Sequence, residues 1–250
     1  MASEVTVKAC INGARPPSEH PALPVRPEES AREARAAVAA GAGLLHVHPR
    51  RGDGVESMDA RTGAAILTAI RRACPAMRVG VTTGAWVVSE PSERLELIRS
   101  WTVPPDFASV NLSEADAAEV GEALLARGIG IEPGLGAVED ARLLVASGLA
   151  PRAERLLVEV DGAGDAEQLE LAAAIDAVLD GAGVAGPRFH HGSGRPTWAV
   201  LARAFDTGHH VRVGLEDTLV LADGSTARGN GELVAAAVAL ARGHGREPSH

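Results

Sequence analysis

The 250-residue chain sets 24 Lys and Arg against 33 Asp and Glu, a formal net charge of −9, so no basic stripe is available to grip nucleic acid or anionic lipid. Aromatic residues make up 2% and tyrosine is absent, which removes base-stacking platforms and any tyrosine general acid. Two cysteines, Cys10 and Cys74, are too few for a disulfide framework, and neither a leader nor an apolar run of roughly 18 residues is found, so a cytoplasmic protein without membrane partners is expected.

Along the chain, apolar runs of strand length alternate with stretches of helical period. The first strand is expected over Val5 to Ile11, with Lys8, the single lysine, too early in it for Schiff-base chemistry. Pro27-Glu28-Glu29-Ser30 opens the first helix with proline and acids in its first turn, and Gly41 closes it. Further strands are expected at Leu44 to His48, Arg78 to Thr83, Phe107 to Leu112, Ile129 to Glu132, Leu156 to Val160, Arg188 to His191 and His210 to Leu215. Helices fill the gaps at Asp59 to Ala73, Pro91 to Trp101, Ala117 to Arg127, Val138 to Ser147, Asp165 to Leu179, Pro196 to Thr207 and Gly231 to Ala241. Eight β-α alternations predict an α/β fold, a (β/α)8 TIM barrel forming one domain over residues 1–250, with a short flexible tail from about residue 244.

Active sites of such barrels lie at the C-terminal ends of the strands. His46/His48, Thr82/Thr83, Asn111, Glu132, His190/His191 and Glu216/Asp217 all fall there on this reading. Alternation along the second strand sends His46 and His48 to one side, about 7 Å apart, so that both imidazoles can share one ion. On the last strand the same alternation turns Arg212 and Glu216 inward, and Glu216 becomes the third ligand of a divalent-metal site, zinc by its donor set. An Arg212–Glu216 ion pair is the structural alternative. Gly192-Ser193-Gly194 lies where barrel loops often admit phosphate, and Gly192 and Gly194 are candidate substrate contacts.

With these residues in place, the chain resembles the β-keto acid cleavage enzyme family almost end to end. The matching stretches are Asn12-Gly13-Ala14, Leu23-Pro24-Val25, His46-Val47-His48-Pro49-Arg50, Asp53-Gly54, Thr82-Thr83-Gly84, Ser109-Val110-Asn111, Gly192-Ser193-Gly194-Arg195, Arg212 to Asp217, and Asn230 with Glu232-Leu233-Val234. The resemblance implies a zinc-dependent barrel that cleaves a β-keto acid with acetyl-CoA, giving acetoacetate and a new acyl-CoA. It implies His46, His48 and Glu216 as zinc ligands, and Asp217 as the base, acting with Arg212 and Thr82. Substrate contacts are expected at Arg15, Thr83, Gly84, Ser109 and Asn111. A homo-oligomer, dimer or tetramer, is also expected.

The departures bear on substrate. Arg15 stands where the characterised enzyme carries an acid, which points to a neutral or anionic substrate. Loops after the fourth and sixth strands are short, which weakens the case for coenzyme A, and His190-His191 replaces an apolar pair. Two other functions stay open: a metal-dependent hydrolase of amidohydrolase type, disfavoured because the fifth and sixth strands contain no histidine, and a barrel that binds metal and ligand without turnover.

Overall fold

The computed structural model describes residues 3–249. Its strands are β1 (Ser3–Val5), β2 (Val7–Cys10), β3 (Leu44–Val47), β4 (Val79–Val81), β5 (Phe107–Asn111), β6 (Gly130–Leu135), β7 (Leu156–Glu159), β8 (Arg188–His191), β9 (His210–Val213) and β10 (Arg246–Pro248). The helices are α1 (Pro27–Ala39), α2 (Ala60–Ala73), α3 (Pro91–Ser100), α4 (Ala117–Leu125), α5 (Val138–Ser147), α6 (Asp165–Gly181), α7 (Thr197–Thr207) and α8 (Asn230–Gly243). Strands β2 to β9 run parallel and in order, and β9 closes back onto β2. The fold is therefore the (β/α)8 barrel that the alternation predicts. None of the described helices is long and apolar enough to cross a membrane.

Helix ends follow local chemistry. Asp59 caps α2 by accepting from the Thr62 amide at 2.8 Å, and Glu29 accepts from the Val25 and Arg26 amides ahead of α1. Gly148 ends α5 in the left-handed region, at φ 73°. Outward-facing strand residues such as Val47, Val81, Val110, Val158 and Val213 pack with the helices into one continuous core.

The first expected strand divides in two. Thr6 turns its amide to the His210 Nδ1, 2.9 Å away, and β1 leaves the barrel to pair with β10, Ser3 opposite Arg246 and Val5 opposite Pro248. A short paired strand thus stands over 246–248, where a tail is expected from about residue 244.

Inside the barrel, its N-terminal end is filled by Leu44, Phe107, Leu157 and Phe189. Among them lies a fully buried ionic group: Lys8 Nζ donates to Glu132 Oε2 at 2.8 Å and Arg155 donates to Glu132 Oε1 at 2.6 Å. The Lys8 ammonium also sits 5.7 Å from the ring centres of Phe107 and Phe189. Glu132 is consequently no part of the C-terminal mouth. Strand β6 runs three residues beyond it, to Leu135, so the residue read as a strand end is mid-strand and points down the barrel. This plug closes the N-terminal end of the barrel interior, and the cavity that holds His46 and His48 opens at the opposite end.

Candidate active site and metal centre

At the C-terminal mouth a cavity of about 440 Å³ is lined by Arg15, His46, His48, Thr82, Ser109, Asn111, Glu159, Arg212 and Glu216, with Ala14, Pro16, Glu19 and Trp86 at its rim. Strand β3 delivers His46, in register with Cys10 on one side and Gly80 on the other. His48 lies one residue past the strand, where Asn12 acts as a surrogate partner: its Oδ1 accepts from the His48 amide and its Nδ2 donates to the His48 carbonyl, both at 2.9 Å. Glu216 lies past the end of β9 in a turn, and its amide donates to the Cys10 carbonyl at 3.2 Å. Gly13, at φ +60°, passes so close beneath Glu216 that a Cβ there would stand 2.3 Å from Glu216 Cγ.

The ligand geometry fits one ion. His46 Nε2 lies 3.9 Å from Glu216 Oε2, and His48 Nε2 lies 3.5 Å from Glu216 Oε1. These two separations run to different carboxylate oxygens, and one donor atom from each of the three residues lies within 4.8 Å of the others, against about 3.4 Å around a tetrahedral ion with bonds of about 2.1 Å. The first separation is too long for a hydrogen bond, and Glu216 Oε2 is buried with no hydrogen-bond partner. An acceptor left unmade in that position costs free energy unless a cation completes it.

Burial pushes the His46 imidazole well below its usual pKa and keeps it neutral, as a ligand must be. Burial acts the same way on His48, but the charge of Glu216 and the hydrogen bonds of Glu216 and Glu56 outweigh it and carry the pKa to about 9. Burial opposes ionisation of Glu216, yet Arg212 first and the two histidines next hold its pKa well below the carboxylate range. The alternative ion pair is present as well: Arg212 donates to Glu216 Oε1 at 2.5 Å. It occupies one carboxylate oxygen and leaves the other.

Arg212 is the hub of the site. Its Nε and Nη2 donate to Asp217 Oδ1 at 3.1 and 2.8 Å, and its Nη1 donates to Glu159 Oε2 at 3.3 Å. Asp217 is 4% exposed and lies behind the guanidinium rather than in the cavity wall; its Oδ2 has no partner. His191 bridges the two acids, with Nε2 3.1 Å from Glu159 and Nδ1 3.3 Å from Asp217. His190 faces the other way, towards α6 and α7, where its Nε2 is 3.4 Å from Asp176 and its ring stacks on His209. The adjacent histidines therefore separate by strand alternation, and only His191 joins the site.

Arg15 reaches the mouth, but its charge is shared. Its Nε donates to the Glu216 carbonyl at 3.1 Å and its Nη1 donates to Glu19 at 2.8 Å. It enters the cavity as half of an ion pair, which reduces the bias towards anionic substrates expected from a free arginine. Thr83, Gly84, Gly192 and Gly194 are not in the cavity wall. Thr83 turns its hydroxyl outward to the Ser109 carbonyl at 2.6 Å, and Gly84 lies under the Trp86 ring. Gly192 is enclosed by Gln168 and Thr197, and Gly194 donates to the Asp217 carbonyl at 2.8 Å.

Four residues absent from the sequence reading complete the site: Glu159, Glu56, Trp86 and Glu19. Glu159 was legible in principle, as an acid ending an apolar strand with the inward parity of Leu157. Its carboxylate occupies the space beside Gly134, where a Cβ would stand 2.1 Å from Glu159 Oε1.

Fold and site together define a (β/α)8 barrel whose C-terminal mouth carries two histidines and a glutamate able to hold a metal ion. The chain belongs to the beta-keto acid cleavage enzyme family, whose sequence model matches residues 4–250. It is 30% identical over 266 positions to the 3-keto-5-aminohexanoate cleavage enzyme of Fusobacterium nucleatum, spanning 99% of this chain and 94% of that one. The corresponding enzyme of Acetoanaerobium sticklandii is 27% identical, over 97% and 93% of the two chains. Among solved structures, ObcA in binary complex with oxaloacetate superposes with a TM-score of 0.71 at 15% identity, covering 91% of this chain and 65% of that one. At that identity the likeness shows the fold. The chain is accordingly a β-keto acid cleavage enzyme, a carbon-carbon lyase/acyltransferase.

Proposed function

We propose that the protein cleaves a β-keto acid with acetyl-CoA, giving acetoacetate and an acyl-CoA, with zinc held by His46, His48 and Glu216. The observation that carries this reading is the buried, unpartnered Glu216 Oε2, 3.9 Å from His46 Nε2, in a cluster where His46, His48 and Glu216 each offer a ligand atom within 4.8 Å of the others. Zinc bound there would polarise the keto oxygen of the substrate as a Lewis acid.

The chain's own groups supply the rest. Ser109 and Asn111 line the wall opposite Arg212 and orient the substrate. Arg212 and the Thr82 hydroxyl face the substrate from the cavity wall, and Asp217, behind the guanidinium, acts through them as the base that receives the proton α to the carbonyl. The guanidinium stays charged throughout and stabilises the substrate carboxylate and the oxyanion that develops. The α-carbon then attacks the acetyl thioester, whose C–S bond breaks to expel coenzyme A as its thiolate. That thiolate adds to the original keto carbon, and the retro-Claisen step then breaks the original carbon-carbon bond: the acyl group leaves on coenzyme A, and the abstracted proton returns to the departing carbanion to give acetoacetate.

A barrel of the same fold supports the use of coenzyme A: ObcA forms a ternary complex with a C4-CoA adduct and oxalate, and superposes with a TM-score of 0.70 at 18% identity. The test is to incubate the zinc-loaded protein with acetyl-CoA and a panel of β-keto acids, and to follow acetoacetate and new acyl-CoA by mass spectrometry. Formation of both in equal amounts is expected. Release of free acid by water without acyl-CoA would replace this reading with a hydrolase.

A further inference from the structure

The two histidines of the triad are held unequally. His46 Nδ1 is buried without a partner, whereas His48 Nδ1 lies 2.5 Å from Glu56 Oε1. Glu56 is itself fixed twice. Its backbone forms an antiparallel bridge with Arg50, a buried residue whose guanidinium grips the Gly54 carbonyl at 2.6 Å. Its carboxylate accepts from the Trp86 indole, 3.2 Å from Oε2. That indole stacks over the His48 ring at 6.2 Å with an interplanar angle of 23°. It can lie so low only because residue 84 is glycine; a Cβ there would stand 2.3 Å from the ring. Trp86 is nonetheless 54% exposed, an unusual cost for a tryptophan that has only packing to do.

We infer that Glu56, braced by Trp86, is a positioning residue that locks the His48 imidazole with Nδ1 protonated and Nε2 free to ligate, an assignment that rests on the zinc reading above. A carboxylate behind a ligand histidine fixes its tautomer and ring orientation and strengthens Nε2 as a donor. The loop after β4 thereby contributes to metal binding without supplying a ligand.

Zinc affinity of the full chain, measured by competition with a chromogenic chelator, tests this directly. Glu56→Gln and Glu56→Ala should bind zinc about 10- to 100-fold more weakly than wild type, with Trp86→Phe between them and wild type. Glu122→Gln, an exposed acid paired with Arg152 far from the mouth, should match wild type, and all variants should keep the wild-type circular dichroism. In the zinc-loaded wild type, long-range 1H–15N spectra should show His48 protonated at Nδ1. Zinc affinity of the Glu56 variants within about threefold of wild type, or a His48 ligated through Nδ1, overturns the inference alone. A wild type that binds no zinc overturns the underlying metal reading, and this inference with it.

Discussion

The close passage of Gly13 beneath Glu216 makes Gly13→Ala a test of how tightly the triad is set. A Cβ at residue 13 would stand 2.3 Å from Glu216 Cγ and 2.9 Å from its Cβ. Carbon atoms in contact prefer about 3.5 Å or more, so the Glu216 side chain must retreat by about 1.2 Å. Metal-ligand distances tolerate only about 0.2 Å, and disturbing the groups that hold a ligand in place costs about 10- to 100-fold in metal affinity. The backbone adds a separate penalty: φ is +60°, and an alanine there costs about 1–2 kcal/mol. Gly13→Ala should therefore lose zinc affinity by about 10- to 100-fold while destabilising the fold by only about 1–2 kcal/mol, as read by chelator competition and urea unfolding. Unchanged zinc affinity would refute the argument that Gly13 sets the position of Glu216. A large stability loss with affinity intact would show that the backbone, not the carboxylate, takes up the strain.

Elemental analysis of the reloaded protein should give about one zinc per chain, with activity lost on chelation and restored by zinc. Asp217→Asn should keep zinc and lose nearly all turnover, whereas Glu216→Ala loses both; equal zinc loss in the two would end that division of roles. Lys8→Met leaves the buried Glu132 one cation short and should cost about 3–5 kcal/mol in urea unfolding, with the double variant Lys8→Met/Glu132→Leu recovering part of it. Glu19→Gln uncovers the Arg15 charge and should raise kcat/KM for dicarboxylic over neutral β-keto acids; an unchanged ranking would place Arg15 outside substrate recognition. Burial, then the neighbouring His190, lowers the His209 pKa from 6.5 to about 4. The unfolded chain thus binds a proton there that the folded one does not, and stability should fall as pH drops from about 6.5 to about 4. His209→Gln should flatten that segment of the stability-pH curve.

What could be read from the chain follows from periodicity. The inward parity of His46, His48 and Arg212 is a property of strands with one polar face, and it pointed without coordinates to the group of His46, His48 and Glu216 that could hold an ion. Alternation also held the information that His190 and His191 cannot both face inward. It failed at Glu132, because Glu132-Pro133-Gly134 reads as a turn while the barrel continues the strand through it. Thr6 carries no break signal at all; the division there depends on pairing with residues more than 200 positions away, His210 and the 246–248 segment. Glu56 and Trp86 sit on separate loops, and only the tertiary fold brings them to His48.

The grip of Asn12 on residue 48 has a consequence for redesign. Asn12 holds that position through the backbone amide and carbonyl alone, and the imidazole takes no part in the clamp. Residue 48 is therefore a socket whose place in space does not depend on the side chain plugged into it. Cysteine, aspartate or a second glutamate could be installed there with the main chain left where it is, and the same barrel mouth could be re-tuned from a borderline ion towards softer or harder ones by donor chemistry alone.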